Sequence, residues 1–153
     1  MIRRPPRSTL SSSSAASDVY KRQRYTYFLL AAAGTAVGFS LTQTSSSALS
    51  WYQVPLALAL LFWGLSFYLG CKNLGYVNST LYANAEMLRI QSGIHPKVGN
   101  HPQMVQAASE GIMNAIESNA NMANQLGHWQ FRTLIMGSIA YIVWHIVEMW
   151  LRT

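Results

Sequence analysis

Three long segments with almost no charge constrain the fold of this chain more than any other feature. They cover about residues 25–43, 51–70 and 131–151. The first two contain no charged residue, and the third contains one arginine, one glutamate and one histidine. About 20 apolar residues in an α-helix, rising about 1.5 Å per residue, cross the roughly 30 Å hydrocarbon core of a bilayer. The sequence therefore predicts three transmembrane helices and a lipid bilayer as the first partner.

The composition agrees with this prediction and argues against an enzyme. Charged residues make up 10% of the 153 residues, whereas soluble domains contain about 25%. The chain has no nucleophile elbow, Walker loop or dinucleotide-binding fingerprint, so we expect no catalytic residue and no cofactor. The single cysteine, Cys71, excludes a disulfide within one chain. The spacing of His95, His101 and His128 fits no zinc signature, so no metal is predicted either.

The first 23 residues have a composition unlike the rest. They contain five basic residues, a four-serine run and two prolines. Asp18 to Gln23 reads DVYKRQ, and one back-translation, GAT GTG TAT AAG AGA CAG, resembles the mosaic-end adapter of transposase-based sequencing libraries. We therefore expect residues 1–23 to be a disordered, adapter-derived leader and residues 24–153 to form a single membrane domain. The alternative is a native basic tail or a transit-peptide-like leader.

Excluding the leader removes most of the positive charge. The leader holds five of the 11 basic residues and one of the five acidic residues. The remaining six basic and four acidic residues give a net charge of +2 instead of +6. Because binding to phosphate backbones needs a concentrated basic patch, we expect no nucleic-acid partner.

The distribution of charge predicts the orientation. Arg24, Lys72 and Arg132 flank the spans on one side, whereas Thr44–Ser50 on the other side is uncharged. By the positive-inside rule, we expect residues 71–130 in the cytoplasm, with residues 44–50 and the C-terminus outside the bacterial cytoplasmic membrane. Alternatively, the first span is a signal peptide that is cleaved after the small residues near Ser50.

The segment between the second and third spans has helical periodicity on both sides of a loop. One apolar face recurs at spacings of 3, 4, 4 and 3 and consists of Leu74, Val77, Leu81, Ala85 and Leu88. The second helix is expected to continue to about Gln91. Two glycines and two prolines in residues 93–102 predict a loop, after which a third helix runs into the last span. The predicted fold is an all-α membrane protein with three transmembrane helices and a cytosolic helical hairpin at about 71–130.

Asparagine is unusually frequent in these predicted helices. The residues are Asn78, Asn84, Asn114, Asn119, Asn121 and Asn124. Asparagine is a poor residue for a helix interior, and a buried one can fix the register and oligomeric state of a coiled coil. We favour an exposed polar face over the register-fixing alternative.

The third span carries five polar residues, which we call the polar stripe. They recur at spacings of 3, 4, 3 and 4, and they are Ser138, Tyr141, His145, Glu148 and Arg152. Ionisable groups within a bilayer are costly and often mark ion pathways, so the stripe could form a proton relay or line a pore. The favoured interpretation is interfacial, with Glu148 paired to Arg152 near the end of the span.

Each span also contains two small residues four positions apart, which is typical of close helix contacts in membranes. The pairs are Gly34 with Gly38, Ser66 with Gly70, and Thr133 with Gly137.

Two classes of function follow from the sequence. The first is a homo-oligomeric scaffold or interaction protein whose cytosolic hairpin binds a cytosolic protein partner. The alternative is a transport protein in which the polar stripe of the third span lines a path for protons or small cations.

Overall fold

Three long helices account for nearly all of the chain that the structure, a computed structural model, describes. The described residues are 7–44, 51–96, 98–99 and 101–151, with side chains from residue 20 onward. Helix α1 is Arg7–Thr44, α2 is Val54–Gln91 and α3 is Pro102–Leu151, and a short 3₁₀ turn at Trp51–Gln53 precedes α2. Over these residues the structure is all-helical, as predicted.

All three helices are long and apolar enough to cross a membrane. The length and apolar character predicted for the three spans are therefore confirmed. The candidate spans lie within Tyr20–Thr44, Trp51–Gln91 and Pro102–Leu151. Their apolar side chains are largely exposed, with Phe28 and Leu61 each 69% exposed and Ile139 57% exposed. In water such a surface would be a large apolar patch, whereas in a bilayer it contacts lipid.

Local signals fix the two helix ends at the loop. After Gln91, the N–H of Gly93 donates to the carbonyl of Ile90 at 3.1 Å, and the N–H of Ile94 donates to the carbonyl of Arg89 at 3.2 Å. Gly93 has a φ of 70°, which is costly for other residues. This pair of bonds is the Schellman termination. Helix α2 therefore ends where the sequence predicts.

Helix α3 begins at Pro102 and continues for 50 residues. Proline suits the first helical turn because its missing N–H would have no helical partner there. The N–H of Val105 donates to the carbonyl of His101 at 2.9 Å and closes the first turn. No proline follows Pro102, so no residue forces a break. In the sequence, Asn100 and Gln103 have the spacing of a capping box, but Asn100 lies outside the described residues.

Helix α1 differs from the sequence prediction at its start. The helix begins at Arg7, so residues 7–23 of the leader, which were expected to be disordered, are helical in the structure. Neither glycine nor proline occurs between Arg7 and Gly34. Because adding residues to an existing helix is much easier than nucleating one, the apolar span can extend its helix into this polar segment. The origin of the leader in an adapter stays a prediction.

Helices α2 and α3 pack along a seam with a repeat of 3.5 residues. On α2 the buried positions alternate at spacings of 3 and 4, and they are Leu56, Ala59, Trp63, Ser66, Gly70, Asn73, Val77 and Thr80. On α3 every seventh residue from Ala123 to Trp144 is buried, with Gln130 and Gly137 between them. This period is typical of a left-handed coiled coil.

The contacts across the seam show that α2 and α3 are antiparallel. A Cβ atom placed on Gly137 would lie 2.6 Å from the Trp63 indole, and one on Gly127 would lie 3.2 Å from Nδ2 of Asn73. As the residue number rises along α2, the partner's number falls along α3. The same register therefore extends from the apolar half of α2 into its polar half.

Helix α1 packs mainly on α2. Its buried residues are Thr26, Leu29, Ala33 and Ser40. Asn73 Nδ2 donates to Thr26 Oγ1 at 3.4 Å, and a Cβ atom on Gly70 would lie 2.8 Å from the Leu30 side chain. One cavity lies between α1 and the middle of α2 and α3, and a second lies between the last turns of α1 and α3.

The apolar face predicted on α2 is not the face that packs against α3. Val77 is 7% exposed, but Leu81 is 42% exposed and Leu88 is 66% exposed. The buried seam instead includes Asn73 and Thr80. Val77 lies both on the predicted apolar face and on the buried seam. The seam keeps its register beyond the apolar half of α2 through Asn73 and Thr80, which are smaller and polar.

The close contact at Gly137 gives the first prediction. We expect Gly137→Ala to lower stability by about 1–3 kcal/mol, because the new methyl group would overlap the buried Trp63 ring. A matched control is Gly111→Ala in the same helix, where nothing lies within 4 Å. Alanine there should raise helix stability by about 0.5–1 kcal/mol. Thermal unfolding in detergent measures both, and equal melting temperatures would contradict this packing.

Candidate functional site

The middle of the α2–α3 seam is polar. Ser66 Oγ donates to the carbonyl of Gln130 at 2.9 Å, and Thr133 Oγ1 donates to the carbonyls of Trp129 at 2.9 Å and Gln130 at 3.0 Å. These bonds place hydroxyl groups against the backbone of α3, where side chains larger than serine or threonine would separate the helices. The result is a close contact stabilised by packing and an interhelical hydrogen bond, which is common where helices meet in membranes.

Gln130 stands out within this polar layer. Its side chain is completely buried, and neither Nε2 nor Oε1 has a hydrogen-bond partner among the described atoms. The amide packs against Gly70, where a Cβ atom would lie 2.5 Å from Nε2. Burying an amide without partners costs roughly 1–3 kcal/mol by protein mutational data. Stability alone therefore does not account for a glutamine at this position.

The six small residues predicted for helix packing fall into two groups. Ser66 and Gly70 of α2 and Thr133 and Gly137 of α3 are all buried. By contrast, Gly34 and Gly38 of α1 are exposed, and a Cβ atom on either would meet nothing within 4 Å. The α1 pair therefore makes no close contact within the described part of the chain.

One basic residue on each helix stacks on a nearby aromatic ring. Arg24 lies 5.8 Å from the Tyr20 ring centroid, Lys72 lies 5.7 Å from that of Tyr68, and Arg132 lies 5.6 Å from that of Trp129. Such cation–π pairs contribute about 0.5–1 kcal/mol at exposed sites. All three lie near the level where Thr26, Asn73 and Gly127 meet, so they form a common basic and aromatic band around the bundle.

A cavity of about 910 Å³ lies beside this band, between α1, α2 and α3. Its lining includes Thr26, Asn73 and the exposed His128. Arg22 also lines it and donates a hydrogen bond from Nη1 to Oδ1 of Asn124. Arg22 belongs to the segment predicted to be an adapter-derived leader, so one wall of this cavity comes from that segment.

The asparagines identified from the sequence lie mostly on the surface. Asn119 is half-buried. The exposed ones are Asn78, Asn84, Asn114, Asn121 and Asn124. The buried asparagine is Asn73, which sequence reasoning missed because it sits at the polar end of the second span. Its seam position, three residues after Gly70 and four before Val77, is the signal that could have identified it.

Three residues of the polar stripe, Tyr141, His145 and Glu148, line a groove between α1 and α3 near the ends of both helices. Ser138 is half-buried and donates to the carbonyl of Leu134 at 3.0 Å, within its own helix. Tyr141 and Glu148 are half-buried, and His145 is exposed. Arg152 lies outside the described residues, so its predicted pairing with Glu148 stays a prediction.

The aromatic members of the stripe belong to a larger ring cluster. The Tyr141 ring lies 5.6 Å from Trp63 and 5.4 Å from Trp144, measured between centroids. The ring of His145 is parallel to that of Tyr141, at 6.5 Å and 3°. Trp144 is only 4% exposed, and its Nε1 has no partner among the described atoms. The cluster holds Tyr141 in place from the α2 side.

A second cavity, of about 410 Å³, adjoins this cluster. We call it the end pocket, and its lining is Phe39, Gln43, Tyr141, Trp144, His145, Glu148 and Met149. Sequence reasoning found three of these residues from the stripe. It missed Phe39, Gln43, Trp144 and Met149, because the contact between α1 and α3 depends on their mutual register, which no local pattern reveals.

The remaining histidines do not converge on a metal site. His95 Nε2 lies 3.7 Å from Glu86 Oε2, and Arg89 binds the other oxygen of Glu86 at 3.2 Å. This cluster ties the loop to the last turns of α2. Within the described residues, no group of three or more histidine, cysteine, aspartate or glutamate side chains is close enough to hold a metal ion.

Comparisons with protein-family models, curated proteins and solved structures found no match to this chain.

The buried amide gives the second prediction. We expect Gln130→Met to keep or raise the melting temperature in detergent, because an apolar side chain of similar length needs no hydrogen-bond partner. Gln130→Glu should lower it clearly, because a charge without a partner would be buried against Gly70. If Gln130→Met destabilises the protein as much as Gln130→Glu does, the amide has partners that this geometry lacks.

Proposed function

We propose that this protein is a homo-oligomeric scaffold of the bacterial cytoplasmic membrane, with the polar halves of α2 and α3 projecting into the cytosol as its interaction surface. The observation that supports the proposal is a second seam on the outside of α2. It has spacings of 3, 4, 3, 4 and 3, and its residues are Cys71, Leu74, Asn78, Leu81, Ala85 and Leu88. We call it the outer seam.

The outer seam is apolar but lies beyond the uncharged span. It starts beside Lys72 and ends beside Arg89, so the bilayer does not cover most of its length. Leu74 is half-buried, while Leu81 and Leu88 are exposed to 42% and 66%. Three leucines at a spacing of seven on one helix, two of them exposed, are typical of a coiled-coil contact that needs a partner helix.

The length of the projecting part suits such a contact. Residues 72–91 of α2 are helical throughout, and 20 residues extend about 30 Å along a helix axis. Their antiparallel neighbour on α3 supports them through the buried seam as far as Thr80 and Ala123. The outer seam is therefore presented on a paired helix that does not have to order itself on binding, which lowers the entropic cost of association.

A second copy of this chain fits the outer seam by symmetry. Copies inserted in one membrane share an orientation, so a two-fold axis along the membrane normal would place two outer seams parallel, with identical residues facing each other. Asn78 would then lie opposite Asn78, where paired amides can bond. A single asparagine in an apolar seam favours one register and one oligomeric state over others.

The packing near the polar stripe supports the scaffold over the alternative of a proton or cation path. Trp63, Tyr141 and Trp144 fill the bundle interior at the level of the stripe. His145 and Glu148 line the end pocket between α1 and α3. Within one chain, aromatic rings therefore occupy the level of the bundle where a polar path would have to run.

The proposed orientation gives a third prediction. In a Cys71→Ser background, a cysteine at Ser46 should react with an impermeant maleimide added to intact cells. A cysteine at Asn100 should react only after the membrane is opened, because the positive-inside rule places the loop in the cytosol. Labelling of Asn100→Cys in intact cells would contradict the orientation.

The outer seam gives a fourth prediction. In native membranes, mild oxidation should link the exposed Cys71 to Cys71 of a second copy. Leu81→Asp with Leu88→Asp should abolish this covalent dimer, because facing carboxylates would replace facing leucines. Tyr82→Asp is the matched control: Tyr82 is 70% exposed but lies off the seam, so the dimer should persist. A dimer that survives the double substitution, or that never forms, would contradict the proposal.

A further inference from the structure

The cavity of about 910 Å³ lies at the boundary between the apolar spans and the polar part of the bundle. Its lining includes Tyr25 and Phe131, the first residues of the first and third predicted spans, and Asn73, three residues after the second. Pockets for small organic groups range from about 300 to 1,000 Å³. We infer that this cavity, which we call the boundary cavity, binds the headgroup of an anionic phospholipid. This role goes beyond the scaffold and does not depend on the oligomeric state.

One face of α3 supplies much of the polar lining. Its four residues are exposed and occupy positions i, i+3, i+4 and i+7, which share a helix face. They are Asn121, Asn124, Gln125 and His128. A carboxamide both donates and accepts hydrogen bonds, and so does a neutral imidazole. This face can therefore bond the hydroxyl groups and phosphate oxygens of a headgroup, which also gives a role to two of the asparagines that the sequence singles out.

Most of this face is not used to hold the bundle together. Asn124 accepts a hydrogen bond from Arg22. Within the described part of the chain, no hydrogen bond engages Asn121, Gln125 or His128. Their donors and acceptors are therefore open to a ligand that enters the boundary cavity.

The charge around the boundary cavity favours an anion. Arg22 lines it, and a guanidinium has five N–H donors, so its bond to Asn124 leaves others for a phosphate. The lining residues include neither aspartate nor glutamate. Lys72 and Arg132 each adjoin a lining residue in the sequence. Basic pockets between membrane helices on the cytoplasmic side are typical sites for anionic headgroups.

Much of the site does not depend on the predicted leader. Arg22 belongs to the leader, whereas Arg24, Lys72 and Arg132 lie outside it. The α3 face at 121–128 also lies outside it. The carboxamides and the surrounding basic residues therefore belong to the membrane domain, and Arg22 adds one more positive charge to them.

The lining favours an amphiphile over a soluble anion. Along α3, the polar face at 121–128 is followed by Phe131, which is 45% exposed. On α1, Tyr25 is 50% exposed where the first span begins. A phospholipid places its phosphate at the interface and its tails in hydrocarbon, so one molecule can contact both the polar and the apolar lining. A soluble phosphodiester would contact the polar part alone.

The same lining argues against a zwitterionic headgroup. Phosphatidylcholine and phosphatidylethanolamine carry an ammonium group, which would add a positive charge near Arg22 with no carboxylate among the lining residues to balance it. Phosphatidylglycerol instead ends in hydroxyl groups, which carboxamides can bond. Phosphatidylglycerol is therefore the probe that suits the boundary cavity.

The test is native mass spectrometry of the full chain in detergent, titrated with phosphatidylglycerol or with phosphatidylcholine of the same tail length. The spectra count the lipids bound per chain and give the affinity of each binding step. We expect the first phosphatidylglycerol to bind at least about fivefold more tightly than the first phosphatidylcholine, because charge-assisted hydrogen bonds are stronger than neutral ones. Equal affinities for the two lipids would overturn the inference.

A double variant tests the α3 face. Asn121→Ala with Gln125→Ala removes two carboxamides from the boundary cavity and should weaken phosphatidylglycerol binding by about fivefold to twentyfold. Asn114→Ala with Gln103→Ala is the matched control, because it removes the same groups from exposed positions of α3 outside the cavity. The control should bind phosphatidylglycerol as the wild type does. Equal binding by the two double variants would overturn the inference.

A charge variant tests the phosphate contact. Arg22→Gln should weaken phosphatidylglycerol binding by about threefold to tenfold, because a neutral donor replaces a charged one. Binding of phosphatidylcholine should stay within about twofold of the wild type. A loss of the same size for both lipids would contradict an anion site at Arg22.

A headgroup without tails distinguishes the lipid from a soluble source. Glycerophosphoglycerol carries the same phosphate and hydroxyl groups as phosphatidylglycerol. We expect it to bind at least about tenfold more weakly, because it lacks the apolar contacts of the tails. Equal affinity would assign the boundary cavity to a soluble phosphodiester and overturn the assignment to a lipid.

Discussion

The close approach of α2 and α3 is the constraint on which the rest of the structure depends. Lipid tails are as apolar as leucine, so two helices gain little from hiding apolar side chains from them. Association then depends on van der Waals contact, which requires small residues where the backbones meet. Gly70 accommodates the Gln130 amide, and Gly137 accommodates the Trp63 indole. The antiparallel register that these contacts set carries the pairing beyond the span into the polar half of both helices.

The polar character of the seam follows from the same constraint. Ser66 and Thr133 bond backbone carbonyls of α3 and occupy little volume, so they bring the helices together without leaving hydroxyl groups unpaired. In a soluble bundle, leucine would fill these positions. Here Leu56 lies on the seam, but other leucines of α2, such as Leu61, Leu81 and Leu88, lie on exposed faces. The exposed leucines and the small buried residues are thus two results of one packing solution.

Much of the fold could be predicted from the sequence, because its signals are local. Lack of charge identified the spans, and Gly93 and Pro102 located the helix ends beside the loop. The buried face of α2 could not be predicted in the same way. Val77 lies on two candidate seams, and the seam that packs contains Asn73 and Thr80, which carry no apolar signal. Three lining residues of the end pocket could be predicted, since Tyr141, His145 and Glu148 recur at helical spacing. Phe39 and Gln43 depend on how α1 lies against α3, which is a tertiary property.

The unbroken length of α3 has a mechanical consequence. A helix of 50 residues is about 75 Å long, and no proline interrupts it after its first residue. Such a helix moves as a rigid body, and the close contacts at Gly137 and Gln130 are the point about which it can tilt. A tilt of a few degrees at the end pocket would displace the loop at the other end by several ångströms, with both arms moving together. An event at the end pocket would thereby reach the loop at the far end of α3 as a displacement of the helix.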